Sequence, residues 1–201
     1  MNLVSFKKNF LFLLRWITFL LLLPFSYFLS LNILNILKDS EFFTFIKGCI
    51  LYTFLFIFFS PIHFLFKINK IINESIFKFF SPLMKVSPFL FPSLLLIMSI
   101  LFKILILFFK EISVSWFLFL LGFLYSNHLL ISVTSFKKDK PFINIDYLFN
   151  FLFIFIFSTL FLLLCLRICI SDFSLISIIN STISSYLSFL KMVFFQLFSS
   201  K

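Results

Sequence analysis

The sequence predicts an all-α fold: a polytopic transmembrane helix bundle of about six spans, forming a single domain over residues 1–201. Three observations predict it. Long apolar stretches dense in Phe, Leu and Ile alternate with short charged clusters, and a bilayer core about 30 Å thick takes about 20 apolar helical residues to cross. The mean hydropathy is +1.19 with 62% hydrophobic residues, against roughly 45–50% in soluble domains. When the stretches are alternated across a membrane, the loop lysines sort to one side.

The first span runs from Asn9 to Leu37, with a kink expected at Pro24 because proline removes an intrahelical hydrogen bond. Lys7-Lys8 ahead of this run resembles a signal-peptide start. The run exceeds the usual 7–15 apolar residues and no small-x-small cleavage site follows, so an uncleaved span is expected. The second span covers Phe42 to Phe66.

Lys67 to Ser87 then carries Lys67, Lys70, Lys78 and Lys85 against one Glu74, with Ile68, Ile71, Ile72, Ile76, Phe79 and Phe80 at helical spacing. This pattern predicts an amphipathic helix in the membrane interface between spans two and three. The third span is Pro88 to Phe109 and the fourth Ile112 to Thr134, a tight hairpin about Lys110-Glu111. The loop Ser135 to Asp146 is lysine-rich; the fifth span is Tyr147 to Ile170 and the sixth Phe173 to Phe198.

Alternation gives one side Lys7, Lys8, Lys67, Lys70, Lys78, Lys85, Lys137, Lys138, Lys140 and Lys201, and the other only Lys38 and Lys110. By the positive-inside rule both termini are inside, in a bacterial inner membrane or an organellar inner membrane. The net charge of +10 thus belongs to topology and anionic lipid, and no nucleic-acid partner is expected. Alanine is absent, Gly occurs twice and Phe 39 times. Codons rich in A and T encode that mix, so an AT-rich genome is expected.

In the last span Ser174, Ser177, Ser181, Ser184 and Ser188 recur three and four apart, on one helix stripe. With no Ala and almost no Gly, serine is the small residue left for close helix approach, so the stripe is read as a helix-packing face; the competing reading turns it to water. His63 and His128 lie at similar depth on spans two and four. Two such histidines are candidate axial haem ligands, set against the plainer role of hydrogen-bonded packing residues. Arg15, Lys47, Lys103, Arg167 and Lys191 fall within spans, where charges are costly and often functional; those near span ends can snorkel. Cys49, Cys165 and Cys169 read as small buried residues. No cofactor, metal site or catalytic residue is assigned, and with Gly48 and Gly122 the only glycines a phosphate-cradling loop is excluded.

Three stretches resemble site-2-protease-like membrane metallopeptidases in order and spacing. They are Phe42-Phe43-Thr44-Phe45-Ile46-Lys47-Gly48, Ser87-Pro88-Phe89-Leu90-Phe91-Pro92 and Gly122-Phe123-Leu124-Tyr125-Ser126-Asn127-His128. Zinc hydrolysis in such a family needs two histidines one helical turn apart and a glutamate base. Where that helix would fall, Ile62 to Phe77 holds one histidine, with Glu74 eleven residues beyond it. The resemblance therefore implies a catalytically dead relative. The leading expectation is a non-enzymatic accessory or structural subunit of a membrane complex, with the lipid bilayer and other membrane subunits as partners. The alternatives are the dead relative and a haem- or quinone-binding respiratory anchor using His63 and His128.

Overall fold

The computed structural model describes residues 3–37, 39–59, 63–109, 113–135, 145–170 and 173–198. Among them stand eight helices: α1 (Leu3–Ile36), α2 (Asp39–Phe59), α3 (His63–Ile76), α4 (Ser81–Leu90), α5 (Ser93–Phe108), α6 (Val114–Ser135), α7 (Ile145–Cys169) and α8 (Leu175–Phe198). Five hold segments long and apolar enough to cross a membrane: Phe10–Asn35, Ser40–Phe58, Val114–Ser135, Ile145–Cys169 and Leu175–Phe198. Helix α5 has 16 residues, about 24 Å at the α-helical rise. Lipid offers the backbone no hydrogen bonds, so a chain this apolar folds into helices that satisfy their own amides and carbonyls.

Contacts between helices fix their relative directions. Cys49 pairs with Gly122 and Tyr52 with Asn127, so α2 and α6 run parallel. Arg15 pairs with Asp146, and Phe19, Leu23 and Ser26 line one groove with Leu148, Leu152 and Phe155; α1 and α7 are parallel too. Phe91, just before α5, meets Phe161, and Ser99 meets Cys169, aligning α5 with α7. Asn32 meets Thr182 while Phe25 meets Tyr186, so α8 opposes α1. Odd-numbered and even-numbered spans thus point opposite ways. Because α2 and α6 run parallel, the chain turns back between them, and α5 is the apolar helix on that return.

Four boundaries differ from the sequence reading. Helix α1 starts at Leu3 instead of Asn9, and the amphipathic segment Lys67 to Ser87 is divided between α3 and the start of α4. The second span ends at Phe59, and His63 to Phe66 belong to α3. The third span, expected as one helix from Pro88, is broken at Phe91-Pro92 between α4 and α5. Proline has no amide hydrogen to give the carbonyl four residues back. Helix α1, by contrast, runs on through Pro24.

The amphipathic helix between spans two and three is α3, and the polarity of its faces is notable. Ile71 and Ile76 are exposed, as are Phe79 and Phe80 in the turn that follows, whereas Asn69 and Asn73 are buried. Ile71 and Ile76 thus face outward, while the asparagines face the protein beside Leu65 and Phe66, which pack inward.

Candidate functional site

The polar interior is built around the crossing of α2 and α6. A Cβ added at Gly48 would lie 2.0 Å from the Phe119 carbonyl oxygen, and one at Gly122 would lie 2.1 Å from that of Phe45. The chain's only glycines therefore face each other's helix backbone. Apolar lipid gives no hydrophobic drive for helix association, so close backbone packing and interhelical hydrogen bonds must supply it. Next to the crossing, Cys49 Sγ lies 3.3 Å from the Gly122 carbonyl oxygen, and the buried Asn127 side-chain amide donates to the Tyr52 hydroxyl at 2.6 Å. One turn away, the Tyr125 and Thr159 hydroxyls share a hydrogen bond of 2.8 Å, linking α6 to α7.

A second polar cluster repairs the break in the third span. Pro92 cannot donate to the Pro88 carbonyl; Asn69 Nδ2 does so instead at 3.1 Å, and also reaches the Phe91 carbonyl at 3.2 Å. Asn69 Oδ1 accepts from the Leu94 amide at 3.1 Å, one of the first-turn donors that every helix leaves unpaired. Asn73, one turn on, donates to the Phe91 carbonyl at 3.0 Å and accepts from the Ser93 hydroxyl at 2.8 Å. Two asparagines spaced by four thus clamp both helix ends from α3. This explains why asparagines stand on the inward face of α3.

His128 lies between these clusters, on α6. It is 3% exposed, and the backbone of Phe89 in α4 faces its ring. Neither ring nitrogen has a hydrogen-bond partner of normal geometry, and the buried hydroxyls of Ser87, Ser132 and Ser158 are also unpaired. Ser132 is one helical turn from His128 on the same face of α6. The Phe91–Phe161 contact sets the register of α4 against α7, which brings Ser87 level with Ser158.

The other residues singled out by the sequence are dispersed. His63 opens α3, and its side chain lies outside the described residues, so any pairing with His128 has one described imidazole. That imidazole is buried, with the α4 backbone at Phe89 against it. Ser174, Ser177, Ser181, Ser184 and Ser188 are exposed within this chain. The side of α8 that meets α1 carries the buried Ile178 and Thr182, with Tyr186 against Phe25. Ser181 alone of the stripe reaches α1, donating to Asn32 Oδ1 at 3.2 Å.

Arg15, Lys47, Lys103, Arg167 and Lys191 are exposed. Arg15 pairs with Asp146, and Arg167 donates to the Phe173 carbonyl at 2.9 Å, where a cation complements the end of α7. Cys165 and Cys169 are buried and unbridged. Among the described residues no group of three His, Cys, Asp or Glu stands close enough to hold a metal ion.

Sequence reasoning missed Asn69, Asn73 and Asn127. A usable signal existed: Asn69 and Asn73 share a helix face and precede a Pro-containing break. The glycine pair was legible as well, since two glycines in a chain without alanine mark where backbones touch. No family model, curated protein or solved structure matches the chain.

Proposed function

We propose that the chain is a non-enzymatic structural subunit of a membrane complex, and that α8 is the helix through which it docks. The observation that carries this reading is the asymmetry of α8. Only Ile178 and Thr182 are buried on it, and the serine stripe is exposed, with Ser181 alone reaching α1. A small-residue face lets a partner helix approach closely and adds hydrogen bonds across the contact. The lysine distribution supports both termini facing the inside of a bacterial or organellar inner membrane.

The test uses the full chain extracted from its own membrane in mild detergent. Native electrophoresis is expected to show it in an assembly larger than the single chain, and Ser177→Leu with Ser184→Leu to release it as free chain. Migration of the unsubstituted protein as the free chain would overturn the reading.

A second reading, a catalytically dead relative of site-2-protease-like metallopeptidases, is favoured by one observation. The three stretches that carry the resemblance meet in space: Gly48 packs on α6 beside Gly122, and Phe89 faces His128. Zinc binding by the purified protein separates a dead relative from an active one, with no bound zinc expected.

A further inference from the structure

The geometry points to a buried, uncharged binding site at the junction of α4, α6 and α7, where His128, Ser87, Ser132 and Ser158 together hold a small neutral guest, a cluster of water molecules. This inference concerns a different surface from the α8 docking reading and does not depend on it.

Unpaired polar atoms at this junction carry the argument. The hydroxyls of Ser87, Ser132 and Ser158 are buried without partners, and neither nitrogen of His128 makes a hydrogen bond of normal geometry, although the Phe89 backbone faces its ring. Elsewhere the chain closes its hydroxyls onto its own helices: Ser99 to Leu95, Thr53 to Cys49, Thr134 to Leu130 and Thr159 to Phe155, all at 2.6 to 2.8 Å. The three unpaired serines have the same type of carbonyl within reach and leave it unused. Imidazole has no such local option. Leaving each buried polar group unsatisfied is costly, and concentrating them at one junction multiplies that cost unless something bonds to them.

The chemistry of the lining selects the guest. A neutral imidazole offers one donor and one acceptor, and each hydroxyl offers both, so the complement must also donate and accept. None of the four lining side chains is an acid or a fixed cation, which disfavours an ion. A buried water needs two to four polar partners, and the four side chains supply them.

The chain holds only two histidines, which makes the test direct. Protein with 15N-labelled imidazole, in lipid bilayers, is measured by solid-state NMR with magnetisation started on water, and His63→Gln assigns the His128 signal. Transfer from water to the His128 ring nitrogens is expected. A His128 signal that receives no water magnetisation would overturn the proposal.

A second measurement does not depend on the spectrum. If water fills the site, Ser158→Ala removes one of its partners and lowers the unfolding midpoint. If the junction is dry, the same change deletes an unpaired hydroxyl and leaves the midpoint unchanged or raised, and the proposal fails.

Discussion

Replacing Gly48 by alanine tests how much of the bundle depends on a single backbone crossing. The added methyl would sit 2.0 Å from the Phe119 carbonyl oxygen and 2.9 Å from the Phe123 amide nitrogen. Both obstacles are backbone, so no side chain can rotate away, and α2 and α6 must separate by more than an ångström. Overpacking of this kind costs about 1–3 kcal/mol, and an unyielding obstacle places it at the upper end. Alanine is the better helix former by about 1 kcal/mol, so the net loss expected for Gly48→Ala is about 2 kcal/mol.

Gly122→Ala meets the Phe45 carbonyl oxygen at 2.1 Å and should cost a similar amount. One separation of the helices relieves both clashes, so the double variant should fall well short of the summed losses, a coupling expected only for sites that share a contact. Reversible unfolding in mixed micelles measures all three. If each single variant is within about 0.5 kcal/mol of the parent, the range of an uninvolved surface site, the crossing does not exist as described.

Four further outcomes follow from other contacts. Asn69→Leu strands the Pro88 carbonyl and the Leu94 amide and should cost about 3 kcal/mol; adding Pro92→Ala gives that carbonyl an amide and should recover part of the loss in the same unfolding assay. Arg15→Glu sets two carboxylates together at the α1–α7 contact; the exposed pair predicts a loss under about 1 kcal/mol, restored by Asp146→Lys. Ser184→Leu, on the exposed face of α8, should leave the stability of the isolated chain within about 0.5 kcal/mol, while Ser181→Leu loses the Asn32 contact and costs about 1 kcal/mol. Lys38→Cys and Lys138→Cys should be labelled by an impermeant reagent from opposite sides of the membrane, and labelling from one side would refute six crossings.

The helices were legible because hydropathy and charge act over whole segments. A long Phe- and Leu-rich run has one low-energy form in lipid, so α6, α7 and α8 could be placed to within a few residues, while α1 starts six residues earlier and α2 ends seven residues earlier than expected. What was illegible turned on single residues. The Phe91-Pro92 break needs two facts at once, a proline and a distant side chain able to repair the damage, and nothing local to Pro92 announces Asn69. The same limit hid Asn127, whose partner Tyr52 is far away in sequence. For α3 the pattern predicted an amphipathic interfacial helix from its isoleucines and lysines. The buried asparagines were missed because the carbonyls they find, those of Pro88 and Phe91, lie beyond the segment.

Helix direction and loop charge give independent views of one topology. The lysine asymmetry uses only residues between the spans, whereas the helix directions come from side-chain pairs within them, such as Arg15 with Asp146 and Tyr52 with Asn127. Had α5 failed to cross, α6 would oppose α2, and Gly48 and Gly122 could meet while Tyr52 and Asn127 diverged on opposite sides of the crossing. Had α5 crossed as an unbroken helix, Asn69 would lose the Pro88 and Phe91 carbonyls and Asn73 would keep only that of Asn69. The short α5, the clamp from α3 and the parallel glycine contact are therefore one arrangement. Each part supplies what the others leave unsatisfied, and the hydroxyls and imidazole at the α4–α6–α7 junction are the polar groups that this arrangement does not itself pair.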